Sequence, residues 1–345
     1  MTSPRRGFPG VGGTVSAYGP VSGPPYSGRV TEPTAPVPPD EVLDDVLTLD
    51  AEPVAVRTPG LSPSRANDYL QCPLLFRFRV IDRLPEPPSA AAVRGTLVHA
   101  VLERLFDAPA GARTLEAARG LLPGCWEMML AERPECSDVV GGDLESWFAG
   151  AGALLATYFT LEDPNRLEPA ERELVISVDL DDGFQLRGIV DRLDVAPDGA
   201  MRVVDYKTGR SPNPGFESGA LFQMRFYALV LSRLRGRVPA MLQLVYLGDG
   251  TLVRHTPDEA ELAVTEQRVR AIWAGIRATA ESGTWRPRRS ALCGWCAHQA
   301  VCPAFGGVPP EVSPEAVERA LGVTAIMPVD ALAPAGTLMT DVPGA

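Results

Sequence analysis

The chain has 345 residues, 45% of them hydrophobic, and a formal net charge of −11. That apolar content supports a real core, yet no run approaches the roughly 18 uninterrupted apolar residues of a membrane helix, and Arg5-Arg6 leads into Gly and Pro rather than into the apolar stretch of a signal peptide. The acidity argues against a bulk electrostatic grip on nucleic acid, although residues 1–60 carry about −3 and 304–345 about −4, leaving about −4 between them, where Arg77/Arg79/Arg83 and Arg286/Arg288/Arg289 form local basic clusters. A cytoplasmic location is expected, in which six cysteines serve as ligands or buried thiols rather than disulfides.

Residues 1–58 are rich in Pro, Gly, Ser and Thr without apolar periodicity and read as a disordered tail. An ordered domain is expected over 61–305, followed by a mostly disordered tail at 306–345 with a short helix at 313–321. Ser62-Pro63-Ser64 opens a helix with Ser as N-cap and Pro in the first turn, and Cys72-Pro73 ends it. The stripe Leu97, Val98, Val101, Leu102, Leu105, Phe106 predicts a helix over 92–107, and further helices fall at 114–131 and 144–160. The period then becomes two, predicting strands at 172–180, 184–195 and 200–207, with Pro197-Asp198-Gly199 turning the last pair. A helix at 219–235, a strand at 240–247 and a helix at 257–282 complete an α/β core that is not a Rossmann sheet.

Lys207 is the single lysine of the chain, against 31 arginines. Lys carries a compact ammonium where Arg carries a planar fork, so a lysine kept in such a background points to chemistry that Arg does not provide. It follows Asp205-Tyr206. If the hairpin pivots on Asp198, Asp191 and Asp205 each stand seven residues from the pivot and oppose one another, with Lys207 on the same face. Two carboxylates that close repel unless a cation or proton separates them. Oxygen-held Mg²⁺ or Mn²⁺ answers that need, and together with a lysine it suits phosphodiester hydrolysis.

His99 is one of three histidines and follows Gly95 by one helical turn; Gln223 and Tyr227 share a helix face. Cys293-Gly294-Trp295-Cys296 and Cys302, with the distant Cys72, form a set of four thiols that suits either Zn²⁺ or a [4Fe–4S] cluster. Cys125 and Cys136 read as buried free thiols. His298 lies within the cysteine segment and is a substitute ligand in the zinc reading. No G-x₄-G-K-[ST] phosphate loop is present, so no ATP site is expected and any helicase action would come from a partner in trans.

Gly95-x₃-His99, Gly188-Ile189-Val190-Asp191-Arg192, Asp205-Tyr206-Lys207-Thr208-Gly209 and Gln223-x₃-Tyr227, in that order, resemble the RecB-type branch of the PD-(D/E)XK nucleases. The resemblance implies a restriction-endonuclease-like core, a mixed sheet flanked by helices, with an N-terminal helical insertion and a C-terminal Cys-rich staple. It implies that His99, Asp191, Asp205 and the Tyr206 carbonyl hold the metal and that Lys207 is catalytic. Gln223 and Tyr227 would lie near the DNA phosphates, and Glu173 would be a further acidic candidate. The carboxylate before the lysine is Asp where many relatives carry Glu. The four cysteines are similar to those of AddB-type and CRISPR-associated RecB-like iron–sulfur nucleases, a likeness that favours [4Fe–4S] over Zn²⁺. The implied function is a metal-dependent DNA exonuclease on single-stranded or frayed ends in DNA repair or recombination. The alternative is a catalytically weak DNA-end-binding or assembly subunit of a helicase–nuclease complex.

Overall fold

The computed structural model describes residues 58–180, 183–212 and 218–323; the tail expected at 1–58 lies outside them except for its last residue, as does the stretch from 324 onward. The chain enters through a two-residue strand, β1 (Gly60–Leu61), and helix α1 (Pro63–Gln71), whose N-cap Ser62 accepts from the Arg65 amide with Pro63 in the first turn. Helix α1 stops at Cys72, but Pro73 at once starts a second helix, α2 (Pro73–Phe76), which runs into a π-helical turn over Arg77–Ile81. The sequence reading missed this restart. The segment buries Leu74, Leu75, Phe76, Phe78, Val80 and Ile81.

Helices α3 (Ala90–Leu105), α4 (Leu115–Glu132) and α5 (Leu144–Leu161) follow, each N-capped by a side-chain oxygen, from Ser89, Thr114 and Asp143. Strands β2 (Glu171–Asp179), β3 (Gln185–Val195) and β4 (Met201–Lys207), helix α6 (Ser218–Arg235), strand β5 (Met241–Tyr246) and helix α7 (Glu259–Glu281) match the predicted elements to within two residues at each end. Strand β6 (Thr251–His255) was not anticipated: it is a short, half-exposed edge strand with little alternation to reveal it. Helix α8 (Pro314–Leu321) corresponds to the helix expected at 313–321 and buries Val317 and Leu321 against the body.

The sheet is mixed and flanked by helices on both faces, as the resemblance implied. Strand β3 pairs antiparallel with β2 along one edge and, along the other, with β4 antiparallel and β1 parallel. Strand β4 pairs parallel with β5 through the α6 crossover, and β6 closes the sheet antiparallel to β5. Val203, Leu242 and Leu244 belong to the core beneath α6 and α7, while Val204, Tyr206, Val245 and Leu247 belong to a second core beneath α3, α4 and α5. Among the described residues, no helix is long and apolar enough to cross a membrane.

Candidate active site

The hairpin pivots where the sequence placed it. Its ladder runs Val195↔Met201, Asp194↔Arg202, Leu193↔Val203 and Arg192↔Val204. Pairing ends one step short of Asp191 and Asp205, where β3 and β4 part. There the Tyr206 amide donates to Asp191 Oδ2 at 2.7 Å, so a carboxylate takes the place of the next ladder acceptor. The opening is filled from α6: a Cβ at Gly188 would stand 2.5 Å from the Tyr227 ring, which is why glycine heads that motif.

Glu173 sits on β2 between the pairs Arg172↔Arg192 and Leu174↔Val190, opposite Asp191. Its φ is +45°, a left-handed conformation that costs a non-glycine residue about 1–3 kcal/mol. The facing pattern slips at this point: Leu186 and Val190 lie in the core beneath α6, and so does Leu193 rather than Arg192. At this kink Glu173 and Asp191 come close to His99 of α3, whose Nδ1 lies 3.9 Å from Glu173 Oε1 and 3.5 Å from Asp191 Oδ2. His99 Nε2 donates to the Tyr206 carbonyl at 2.9 Å, which aims the other ring nitrogen at the carboxylates.

Asp205, 2% exposed, faces α6. Lys207 Nζ lies 2.6 Å from Asp205 Oδ2 and donates to Gln223 Oε1 at 2.9 Å. The Gln223 amide donates in turn to Asp205 Oδ1 and to the Tyr227 hydroxyl, each at 2.9 Å. The structure therefore gathers His99, Asp191, Asp205, Tyr206, Lys207, Gln223 and Tyr227 into one site, with Glu173 beside them. The Tyr206 ring points to the face opposite Asp205 and packs edge-on to the His99 ring, 6.0 Å between centroids, so its backbone enters the site and its ring supports His99.

Among the described residues, His99, Glu173 and Asp191 form the one trio of His, Cys, Asp or Glu side chains whose donor atoms all lie within 4.8 Å of one another. One imidazole among carboxylate oxygens and a nearby carbonyl suits a hard divalent cation such as Mg²⁺ or Mn²⁺. The electrostatics agree. Burial, then the neighbouring Asp205, pushes the Asp191 carboxyl well above the ordinary carboxylate range, against the Tyr206 amide and Lys207. Burial, then Asp191, pushes Glu173 up to about 7, with His99 opposing. Carboxylates that raise one another in this way are relieved by a cation.

Protons and the cation compete for the same oxygens, so Mn²⁺ affinity should rise as pH increases through about 7 and then level off. Raised folded-state values also make the metal-free fold less stable as pH climbs from the ordinary carboxylate range to about 7, so Mn²⁺ should raise the melting temperature most at and above neutrality. Calorimetric titration showing one affinity across this range would contradict that assignment of the oxygens.

The second predicted set also converges. Cys72, Cys293, Cys296 and Cys302 line one cavity with Leu74, Phe78 and Phe305. All six cysteines are free, and Cys125 and Cys136 are buried in the helical lobe, apart from this set. Backbone amides donate to two of the sulfurs, Arg288 N to Cys72 Sγ and Ser290 N to Cys293 Sγ, each at 3.3 Å. His298 does not join them. It is 4% exposed, with Nε2 2.7 Å from Glu86 Oε1 and its ring edge-on to Phe78, which corrects the expectation of a substitute ligand.

Sequence reasoning missed the support behind the site. Arg192, 1% exposed, holds Glu162 with both Nη atoms at 2.7 and 3.0 Å, donates to the Tyr206 hydroxyl at 2.6 Å, and meets Asp194 at 3.1 Å. Gln243 adds a bond to Glu162 at 2.8 Å. The sequence signal was slight: an arginine on a strand whose neighbours alternate apolar.

A family model of the PD-(D/E)XK nuclease superfamily matches residues 60–303 of this chain. The chain is 28% identical over 207 residues to the Gene 69 protein of Mycobacterium phage D29, covering 52% of this chain and 72% of that protein. It is 25% identical over 289 residues to the Gene 69 protein of Mycobacterium phage L5, covering 72% of this chain and 97% of that one. A crystal structure from Eubacterium rectale, described as that of a candidate exonuclease, aligns with a TM-score of 0.49 at 15% identity, covering 74% of this chain and 91% of that one.

Proposed function

Because the chain belongs to the PD-(D/E)XK nuclease superfamily, we propose that it is a Mg²⁺- or Mn²⁺-dependent deoxyribonuclease, working as an exonuclease on single-stranded or frayed DNA ends. The observation that carries this reading is the meeting of one lysine, three carboxylates and one histidine where β3 and β4 part. His99, Glu173, Asp191 and Asp205 would hold the cation, with the Tyr206 carbonyl beside them. When bound, the cation supplies Lewis-acid chemistry at the phosphate.

The protein's own groups do the rest. Lys207 is held between Asp205 and Gln223, so its ammonium stands ready to stabilise charge that develops on phosphate oxygens. Gln223 and Tyr227 keep that ammonium and Asp205 in fixed relation from α6. The Tyr206 peptide fixes Asp191 with its amide and orients His99 with its carbonyl.

The four cysteines would hold a [4Fe–4S] cluster. The likeness to iron–sulfur nucleases favours the cluster over a tetrahedral zinc, which the same four thiols would also suit. Amide donors to sulfur also suit a cluster. Such a cluster would tie Cys72 to a segment some 220 residues later, closing the nuclease body between them. Reduced thiols of this kind fit a cytoplasmic enzyme, and the RecB-type resemblance supports a role in DNA repair or recombination, with a helicase or other repair partner acting in trans.

One preparation tests both parts. Protein purified anaerobically and incubated with end-labelled single-stranded DNA and Mn²⁺ should degrade it, and Asp205→Ala should not. Equal cleavage by both proteins, or by neither, would refute the nuclease site. Iron and sulfide in near-equal amounts should accompany the protein; stoichiometric zinc without them would replace the cluster by a zinc staple.

A further inference from the structure

The protein has five tryptophans, and four of them are at most 7% exposed; Trp295 is 89% exposed. It stands at the end of the 3₁₀ turn Ala291–Trp295, immediately before Cys296. Leu292 (52%) and Phe305 (48%) are exposed with it, and the Arg289 guanidinium lies over the Phe305 ring at 5.4 Å from its centroid. Exposing this much indole to water forgoes one of the largest burial gains a side chain offers, and nothing in the local fold requires it.

The charge around it departs from the rest of the chain. Between Glu281 and Glu311 there is no acidic residue, while Arg286, Arg288 and Arg289 fall within four positions. In a protein of net charge −11, this is a basic segment that carries an open aromatic face. Arg288 is committed to the fold through the Leu70 carbonyl, whereas Arg286 and Arg289 are exposed. Aromatic rings interleaved with arginines match the chemistry of a single nucleic-acid strand, whose bases stack on the rings and whose phosphates meet the guanidinium groups. Duplex DNA offers no free base face, and an apolar protein partner would not call for the run of cations.

We propose that this edge of the cysteine-rich lobe, centred on Trp295 and flanked by Arg286 and Arg289, is a stacking platform for single-stranded DNA. The inference rests on the nuclease reading and adds to it a contact on a different element from the site where β3 and β4 part. It gives the cysteine segment a second role: bracing the fold and presenting Trp295 to the strand.

The test uses the full chain, loaded as purified, with a fluorescein-labelled oligothymidylate in buffer without divalent cation. Trp295→Ala should weaken binding by about tenfold or more, the scale of one lost stacked base, with an unchanged melting temperature because the side chain is exposed. Trp295→Phe should keep most of the affinity. Arg286→Gln should lower the slope of log Kd against log salt by about one, whereas Trp295→Ala should leave that slope unchanged. Binding of Trp295→Ala at wild-type affinity overturns the platform. If that variant also shows altered self-association on sedimentation, the surface is instead a protein interface, and the platform again falls. The two readings fail separately: wild type that cuts DNA with Trp295 dispensable leaves the nuclease standing, and wild type that neither cuts nor binds removes both.

Discussion

Lys207→Arg is expected to lower the rate of DNA cleavage by at least about 10²–10³-fold, the scale of losing one group aimed at developing charge, with little change in melting temperature. The ammonium touches Asp205 at 2.6 Å and Gln223 at 2.9 Å, a space set for a compact, rotatable cation. A guanidinium is planar and longer, so its charge would be displaced from the point that Nζ occupies. The substitution keeps the positive charge beside Asp205 and so isolates geometry from net electrostatics. Single-turnover cleavage, read beside oligonucleotide binding in the absence of cation, separates loss of chemistry from loss of affinity. Cleavage within a few-fold of wild type would remove Lys207 from the reaction.

Arg192→Met is expected to destabilise the fold by about 3–5 kcal/mol, the cost of leaving a buried partner charge uncompensated. Glu162 would be that charge: it is the C-cap residue of α5, and its side chain is 7% exposed. Burial works to raise the Glu162 carboxyl, but the Arg192 hydrogen bonds and charge outweigh it and hold the group below its ordinary value. A depressed value contributes stability that is present above the ordinary carboxylate range and is lost as pH falls through the folded value. Without Arg192 that contribution disappears, and Glu162 would take up a proton instead. The deficit of Arg192→Met should therefore be largest near neutrality and shrink below about pH 5. Denaturant unfolding at the two pH values checks this, and an equal deficit at both would mean that lost packing, not the uncompensated carboxylate, sets the cost.

The same substitution should reach the active site. Arg192 anchors the Tyr206 hydroxyl, while the Tyr206 peptide holds Asp191 through its amide and His99 through its carbonyl. The arginine next to Asp191 thus acts behind the site and not in it.

Much of this molecule was fixed by local pattern. The change of period from helical to alternating after residue 170, the Pro197-Asp198-Gly199 turn and the single lysine were enough to locate the hairpin, its register as far as Arg192↔Val204, and the face that Asp205 and Lys207 share. These features are legible because side-chain periodicity and turn chemistry are properties of neighbouring residues. The order of the motifs added His99, Gln223 and Tyr227, which the fold brings to the same place.

Tertiary structure decided what depends on partners distant in sequence. Glu173 gains its place from a left-handed kink in β2 opposite Asp191, which no periodicity announces. Glu162 matters only because the end of α5 is folded against β3, and His298 turns from the thiols because Glu86 stands within reach. Trp295 is written like the other four tryptophans, and only packing shows that it alone is left open. Composition and spacing settle which chemistry a chain can support, whereas burial and pairing across the fold settle which of its residues are free to perform it.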